Sequence, residues 1–291
     1  MPCATAISTP TTTPITGVPT WWSIIRWNCA RCWITHCAAA ERGFYMFDYS
    51  AHPELLKGRI ILVTGAARGI GAAAAKTYAA HGATVLLLGR TEASLAQVHD
   101  EIQAAGHLLP LVIPFDLEST DPAQYHDLAT MIERKVGRLD GLLHNASIIG
   151  PRTSVEHLPG EDFMQVMHVN INATFMLTQA LLPLLQRSTD ASIAFTSSSV
   201  GRKGRAQWGA YGVSKFATEG LMQTLADELE GVTSVRANSI NPGATRTGMR
   251  AQAYPDENPQ NNPAPEDIMP VYLYLMGPDS KGINGQALNA Q

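Results

Sequence analysis

A glycine-rich turn between an apolar run and a run of alanines is the feature that most constrains the fold of this chain. Gly65, Gly69 and Gly71 follow the apolar residues 59–64 and precede the alanines at 72–75. Glycine permits a tight turn with close backbone approach, and the N-terminus of the following helix offers free N–H groups and a positive dipole end to a pyrophosphate. The pattern therefore predicts a strand, a turn and a helix that bind a dinucleotide.

Beyond Met46, short apolar runs alternate with longer stretches of helical periodicity. Strands are predicted at residues 59–64, 84–88, 108–114, 139–144, 192–196, 234–240 and 286–289. Helices are predicted at 71–80, 94–105, 122–136, 161–185 and 211–229, with Pro183 bending or shortening the fourth, and one long surface loop is predicted at 248–265. We therefore expect an α/β fold, a Rossmann-type doubly wound parallel sheet of about seven strands with helices on both faces, in a single domain.

The first 45 residues differ in composition from the rest. They contain all four cysteines and four of the five tryptophans. A secretory signal is excluded, because no Lys or Arg precedes Arg26 and the longest apolar run is short. An organellar targeting peptide stays open, and so does a metal site formed by Cys29, Cys32, His36 and Cys37. We expect residues 1–45 to be a disordered or artefactual extension, residues 46–291 to form the folded domain, and no metal to be bound.

Composition excludes other classes of protein. No stretch approaches the ~18 consecutive apolar residues of a membrane-spanning helix, so no membrane partner is expected. The formal net charge of −4 lacks the basic excess that binding to a phosphate backbone requires, so nucleic acid is not an expected partner. No cysteine follows Met46, which excludes disulfides from the main body and favours a cytoplasmic location.

The end of the second predicted strand indicates which dinucleotide is bound. An acidic residue there would accept hydrogen bonds from a ribose 2′-hydroxyl, but this strand ends in Leu88-Gly89-Arg90. Arg90 and Arg68 are placed to hold a 2′-phosphate, which favours NADP(H) over NAD(H). Asp116 and Leu117, just after the third strand, are placed to meet the adenine ring.

A tyrosine and a lysine lie on one face of the predicted helix 211–229. Tyr211 and Lys215 are four residues apart, which stacks their side chains. Lowering the pKa of the phenol from 10 to 7 requires roughly 4 kcal/mol, and one cation about 4 Å away at an effective dielectric near 20 supplies that amount. Ser198, at the end of the fifth strand, has a hydroxyl that can hold a carbonyl. The three residues predict proton transfer to a carbonyl.

Taken in order, these motifs resemble the short-chain dehydrogenase/reductase family from about Leu56 onward. The matching elements are the turn at 64–71, Asn145-Ala146-Ser147, Asn170, Ser198, the pair Tyr211 and Lys215, and Asn241-Pro242-Gly243 with Thr247. Within the family, the runs 59–65, 172–179 and 195–202 are similar to bacterial YciK-type oxidoreductases.

The resemblance implies a role for each matching residue. Tyr211 is expected to act as general acid/base, Lys215 to lower its pKa and hold the nicotinamide ribose, and Ser198 to polarise the carbonyl. Asn170 is expected to kink the fourth helix and to hold a water of the proton relay. Ser147 stands where the family usually has glycine, a change we expect to be tolerated. The expected cofactor-binding residues are Gly65, Arg68, Gly69, Ile70, Gly71, Arg90, Asp116, Leu117, Asn145, Ala146, Tyr211, Lys215, Pro242, Gly243 and Thr247.

The expected activity is therefore NADP(H)-dependent hydride transfer between the nicotinamide and a small carbonyl compound or secondary alcohol. Two alternatives stay open, a 3-oxoacyl-thioester reductase and a non-catalytic NADP-sensing binding protein. The surplus of apolar residues in the helices 161–185 and 211–229 predicts a homodimer or homotetramer. Arg202, Lys203 and Arg205, near Trp208, indicate either selection of an anionic substrate or an ordinary basic loop with paired arginines.

Overall fold

All seven runs predicted as strands pair with one another, and every pairing is parallel. The structure is a computed structural model that describes residues 46–291. Its strands follow the order β3-β2-β1-β4-β5-β6-β7. Between β1 and β4 the order of the strands reverses, and ligands of open parallel sheets bind at such a switch point. The strands are β1 (Ile60–Thr64), β2 (Thr84–Gly89), β3 (Leu111–Pro114), β4 (Gly141–His144), β5 (Ala191–Thr196), β6 (Val235–Asn241) and β7 (Ala287–Asn289).

Helices connect the strands and cover both faces of the sheet. They are α1 (Gly69–Ala80), α2 (Glu92–Ala104), α3 (Pro122–Val136), α4 (Gly160–Met167), α5 (Ala173–Leu185), α6 (Gly209–Leu229), α7 (Gly248–Ala253) and α8 (Met269–Met276). The bounds of α3 are those predicted, because strong signals mark both ends. The Asp121 side chain accepts a hydrogen bond from the N–H of Ala123, Pro122 opens the helix, and Gly137 follows it with a φ of 76°.

Alternate residues of the strands point into two separate cores. Ile61 and Val63 pack into a cluster with α1, α2 and α8, whereas Leu62 packs into a cluster with α3, α5 and α6. The period of two follows from the pleat of a strand, and burial on both faces explains why β1 and β2 are almost entirely apolar. The predicted doubly wound α/β fold is confirmed.

The predicted helix 161–185 is interrupted, but not at its proline. A π-helical segment, His168–Asn172, separates α4 from α5, while α5 continues past Pro183 to Leu185. Proline removes the one hydrogen bond that its own N–H would donate to the preceding turn, but the neighbouring residues keep theirs and the helix ends two residues later. Of the two predicted effects of Pro183, shortening of the helix is therefore wrong, and bending stays a prediction.

The prediction of one long loop at 248–265 is also wrong. The helix α7 occupies its first part, and Arg250 binds Glu257 through two hydrogen bonds of 2.6 Å. Asn262 donates to the same carboxylate at 2.9 Å. These contacts lower the pKa of Glu257 to about 2, chiefly through the hydrogen bond from Arg250. Polar residues that are typical of loops here serve an ordered segment.

A network of buried charges connects the amino ends of four strands. The Asp190 carboxylate binds two guanidinium groups, that of Arg236 and that of Arg59, the second with an N–O distance of 3.0 Å. The Asp140 carboxylate accepts a hydrogen bond from the N–H of Ile60 at 2.9 Å. Burial alone would raise the pKa of Asp190, but the hydrogen bonds and charges of the two arginines together lower it. The network lies at the opposite edge of the sheet from the loops described next.

No helix within residues 46–291 combines the length and the apolar character needed to cross a membrane.

Candidate active site

The predicted site residues gather at the carboxyl ends of the strands. The loops that follow β1, β4, β5 and β6 contribute Gly65, Asn145, Ser198 and Pro242, respectively. The hydroxyl of Thr196 lies 3.5 Å from Oδ1 of Asn145, which joins the central loops. The site therefore surrounds the switch point between β1 and β4.

The conformation and close packing of the glycine turn disfavour side chains at its glycines. Gly65 and Gly69 have φ angles of 65° and 57°, in the left-handed region that favours glycine. A Cβ at Gly71 would collide with the carbonyl oxygen of Gly65 and lie 2.6 Å from the side-chain nitrogen of Asn145. Because α1 begins at Gly69, the unpaired N–H groups of its first turn, including that of Ile70, lie at this turn. The cradle fits a pyrophosphate.

Thr64 is a site residue whose individual role the sequence did not predict. Its hydroxyl accepts hydrogen bonds from the N–H groups of Asn145 and Ala146 at 2.9 and 3.0 Å. The Asn145 side chain donates in turn to the carbonyl oxygen of Thr64 at 3.3 Å. Thr64 therefore fixes the loop after β4 against the glycine turn. A hydroxyl at the last position of a buried strand was the only signal for this role.

The two arginines predicted to hold a phosphate are both exposed. Arg68 precedes α1, and Arg90 follows β2, the neighbour of β1 in the sheet. Neither guanidinium has an acidic partner within the described part of the chain. Asp116 and Leu117 lie beyond β3, where the Asp116 carboxylate accepts from the N–H of Glu118 at 3.0 Å. The chain thus leaves two cations available beside the cradle.

Asn170 lies in the π-helical segment, where the resemblance implied a kink. It is 3% exposed, and its side chain accepts from the N–H of Ile148 and donates to the carbonyl oxygen of Ile148, both at 2.8 Å. It also donates to the hydroxyl of Ser214 at 3.0 Å, and that hydroxyl donates to the carbonyl oxygen of Tyr211. Asn170 thereby joins the loop after β4 to the first turns of α6. Both N–H groups of its side chain are used in these contacts.

Tyr211 and Lys215 are buried side by side on α6. The Nζ of Lys215 lies 5.4 Å from the centroid of the Tyr211 ring and donates to the carbonyl oxygen of Thr196 at 2.8 Å. Burial raises the pKa of Tyr211 to about 12, although a hydrogen bond with Ser198 acts in the other direction. Burial also lowers the pKa of Lys215 to about 8, opposed by the charge of Glu219. The spacing predicts that the charge of Lys215 lowers the pKa of the phenol. Among the described residues, burial has the larger effect, and the pKa of the phenol is raised instead.

Arg202 does not face the site, because its hydrogen-bonding groups are used elsewhere. Its Nε lies 3.3 Å from the buried carboxylate of Glu219, and its other nitrogens donate to Asn289 at 2.7 Å and to the carbonyl oxygen of Leu288 at 2.9 Å. Glu219 also accepts from Ser239 at 2.7 Å. Arg202 therefore joins α6 to β7. Of the two alternatives for the basic loop, the one in which its arginines pair with neighbouring acids applies to this residue.

The loop after β6 reaches the glycine turn. Gly243 has a φ of 71°, and the carbonyl oxygen of Pro242 accepts a hydrogen bond from the Gln291 side chain at 2.7 Å. Thr247 caps α7 by accepting from the N–H of Arg250 at 3.1 Å. A Cβ at Gly69 would lie 3.5 Å from the methyl group of Thr247. Thr247, which is late in the sequence, thus lies beside Gly69 of the glycine turn, and both are predicted cofactor residues.

Two polar residues near the site, Ser147 and His168, differ in whether their side chains have a hydrogen-bond partner. The hydroxyl of Ser147, where the family usually has glycine, is buried without a hydrogen-bond partner in residues 46–291. His168 contacts the carbonyl oxygen of Ser119 through Nε2 at 3.0 Å, which indicates a packing role. Within the described range, no cluster of three or more His, Cys, Asp or Glu side chains is suited to a metal ion. The alternative metal site at residues 29–37 lies outside the described residues.

Comparison with known proteins gives consistent matches. A family model for short chain dehydrogenases matches residues 59–258. The chain is 52% identical over 243 residues to the uncharacterized oxidoreductase YciK of Escherichia coli K12, an alignment that covers 84% of this chain and 96% of that protein. A solved short chain dehydrogenase from Pseudomonas syringae has 83% identity and a TM-score of 0.84, covering 84% of this chain and 100% of its own. Another from Escherichia coli CFT073, complexed with NADPH, has 52% identity and a TM-score of 0.81, covering 83% and 100%.

Proposed function

Because the chain belongs to the short-chain dehydrogenase/reductase family of oxidoreductases, we propose that it transfers hydride between NADP(H) and a carbonyl compound or the corresponding secondary alcohol. The predicted resemblance to this family and to its YciK-type members is confirmed. One observation carries the proposal: Ser198, Tyr211 and Lys215 meet beside the loops that form the glycine cradle.

The side chains divide the work between binding and proton transfer. NADPH, when bound, supplies the hydride. The Ser198 hydroxyl holds the carbonyl oxygen of the substrate, and the Tyr211 phenol gives its proton to that oxygen during reduction and takes it back during oxidation. Because burial raises the pKa of Tyr211 to about 12, the phenol keeps its proton at neutral pH, which suits reduction. Lys215 carries its charge at neutral pH and favours the phenolate left after transfer.

The preference for NADP(H) rests on the two exposed arginines. Arg68 and Arg90 flank the carboxyl ends of β1 and β2, and no carboxylate follows β2 directly to repel a 2′-phosphate. A planar guanidinium fork matches phosphate geometry. The NADPH complex of the relative from Escherichia coli CFT073 supports the same choice.

An exposed apolar surface on α5 and α6 supports assembly into a homodimer or homotetramer. Phe175, Val213 and Phe216 are each close to half exposed, although residues of this kind are normally buried. Phe175 also borders a depression of about 590 Å³ that Ile171, Met176 and Leu221 help to line. A second copy of the chain would cover this surface. The cytoplasmic location and the status of residues 1–45 stay predictions.

The experiment that tests the proposed function follows cofactor oxidation by the full-length chain. A panel of small aldehydes and ketones is supplied with NADPH or NADH, and absorbance of the reduced nicotinamide is recorded. We expect turnover of some carbonyl compounds, with NADPH preferred. Absence of turnover with every carbonyl compound, in both directions, would favour the non-catalytic NADP-sensing alternative.

A further inference from the structure

Four side chains from three separate loops meet beside Tyr211. We name Arg152, Arg205, Trp208 and Tyr254 the aromatic–arginine cluster. The Trp208 ring centroid lies 5.6 Å from that of Tyr211 and 6.0 Å from that of Tyr254. Ile149, Val200 and Ala253 are buried against the same rings. The cluster therefore extends the wall of the proposed active site from the phenol outward.

One guanidinium group packs onto this aromatic wall, and a second hydrogen-bonds to its edge. The guanidinium carbon of Arg152 lies 4.8 Å from the ring centroids of both Trp208 and Tyr254. Arg205 donates to the hydroxyl of Tyr254 at 3.4 Å. Arg152 comes from the loop after β4 and Arg205 from the loop before α6, so only the fold brings the two together.

The positive charge of this pair is not balanced by an acid. Within residues 46–291, neither Arg152 nor Arg205 forms an ion pair, and both side chains are exposed. Arg250 provides the contrast, because it packs 3.8 Å from the Tyr254 centroid but is neutralised by Glu257. Arg152 gives one N–H to the carbonyl oxygen of Ala253, which leaves most of its donors free. Two uncompensated cations beside one ring attract an anion.

The indole of Trp208 adds a donor to the same wall. Trp208 is 8% exposed, and its Nε1 is buried without an acceptor in the described part of the chain. A buried N–H without an acceptor is costly. Because the nitrogen itself is closed to solvent, a substrate oxygen can supply the acceptor only if the indole turns as the substrate binds.

We propose that the aromatic–arginine cluster binds the anionic group of the substrate, a carboxylate or a phosphate attached to a flat or apolar portion. The inference rests on the proposed function in one respect, which is that the reacting carbonyl of the substrate lies at Tyr211. The guanidinium forks bind the anion, and the Trp208 and Tyr254 rings contact the flat portion. An alternative role for Arg152 is to brace α7 by stacking, which would affect charged and neutral ligands alike.

The test measures binding by calorimetry on the full-length chain, with and without NADP⁺. The probes are terephthalate, its uncharged dimethyl ester and phenyl phosphate. We expect terephthalate or phenyl phosphate to bind, the tighter of the two identifying the anion. Arg152→Met and Arg205→Met, which keep an apolar stem, should each weaken that binding by about tenfold or more, and added salt should weaken it further. Lys203→Met, an equal loss of charge on the same exposed loop, should change it by less than about twofold.

Three results would overturn the inference. One is that neither anion binds the wild-type chain at millimolar concentration. Another is that Lys203→Met weakens binding as much as Arg205→Met does, which would indicate a general charge effect. The third is that Arg152→Met weakens the ester and the anion equally, which would indicate the bracing role. Because the readout is binding, absence of carbonyl turnover would refute the proposed function without deciding this inference.

Discussion

Lys215 experiences two opposing effects at the scale of a single residue. Burial disfavours its charge and lowers its pKa to about 8, while the carboxylate of Glu219, one turn further along α6, favours the charged form. Its hydrogen bond to the carbonyl oxygen of Thr196 fixes the ammonium beside the Tyr211 ring. The spacing of Tyr211 and Lys215 predicts that the two side chains meet. It does not predict the balance of burial and charge, because the depth at which the two side chains are buried depends on the strands that α6 packs against.

The same limit applies to the arginines near the site. Three cations close together in sequence suggested one anion-binding loop, but Arg202 is used to hold β7. Arg152, about fifty residues away in sequence, takes the place beside Trp208 instead. Sequence proximity is a poor guide to which long side chains converge, because their reach and partners are set by tertiary structure.

A residue-scale prediction concerns the 2′-phosphate of the cofactor. Arg90→Ala together with Arg68→Ala should weaken NADPH binding by about 2 to 4 kcal/mol, because charge-assisted hydrogen bonds from exposed groups are lost. NADH binding should hardly change. Titration of each cofactor by fluorescence provides the measurement, with Arg134→Ala, an exposed arginine on α3, as the control. An equal loss for both cofactors would mean that the arginines contact the pyrophosphate or serve the fold.

At the scale of elements, the sequence predicts what local patterns determine and fails where tertiary contacts decide. All seven strands and the helix α3 were predicted because apolar runs, caps and glycines mark them. The helix α8 was not predicted, since Met269–Met276 is buried on nearly every side and has no polar face. The helix α7 is short and ordered by Arg250 and Glu257, a pair that local propensity does not reveal.

The charge network at the amino ends of the strands yields a prediction about stability. Asp190→Asn should lower the free energy of unfolding by about 3 to 5 kcal/mol near neutral pH, because it leaves Arg236 buried without its carboxylate. Glu133→Gln, which removes the exposed pair with Arg187, should cost about 0 to 1 kcal/mol. Urea denaturation measures both values.

The pH dependence of this effect follows from the lowered pKa of Asp190. A carboxyl whose pKa is lower in the folded state adds stability above its unfolded value of about 3.9, and this stability is lost as pH falls through the folded value. The difference between wild type and Asp190→Asn should therefore shrink as pH falls below about 4. A difference that stays constant into acid would show that the carboxylate's charge is not what stabilises the sheet.

At the scale of the whole molecule, the two edges of the sheet serve different purposes. The amino ends hold the buried ion pairs among Arg59, Asp190 and Arg236, and the carboxyl ends hold the loops of the candidate site. Among residues 46–291, the loops therefore contain cations without an ion pair and a hydroxyl without a partner, whereas the charges at the opposite edge are paired. The location of the site was predictable, because the carboxyl ends of parallel strands lie at one edge. The composition of the aromatic–arginine cluster at its outer wall was not predictable, because its residues come from three separate loops.

Assembly is a prediction about the molecule as a whole. Sedimentation at micromolar concentration should show a homodimer or homotetramer, because the surface around Phe175 and Phe216 is apolar and exposed. Phe216→Lys should shift the population toward monomer by placing a charge there. Leu108→Lys, at an exposed apolar residue away from this surface, should leave the assembly unchanged. A wild-type chain that is monomeric throughout would contradict the prediction.

The central claim is that Tyr211 exchanges a proton with the substrate oxygen, and Tyr211→Phe tests it most directly. The substitution removes only the hydroxyl from a ring that stays packed against Trp208. We expect NADPH-dependent carbonyl turnover to fall by at least about a hundredfold, as loss of a general acid requires, while NADPH affinity stays within a few-fold of wild type. Turnover that survives in the variant at a rate close to wild type would contradict the account.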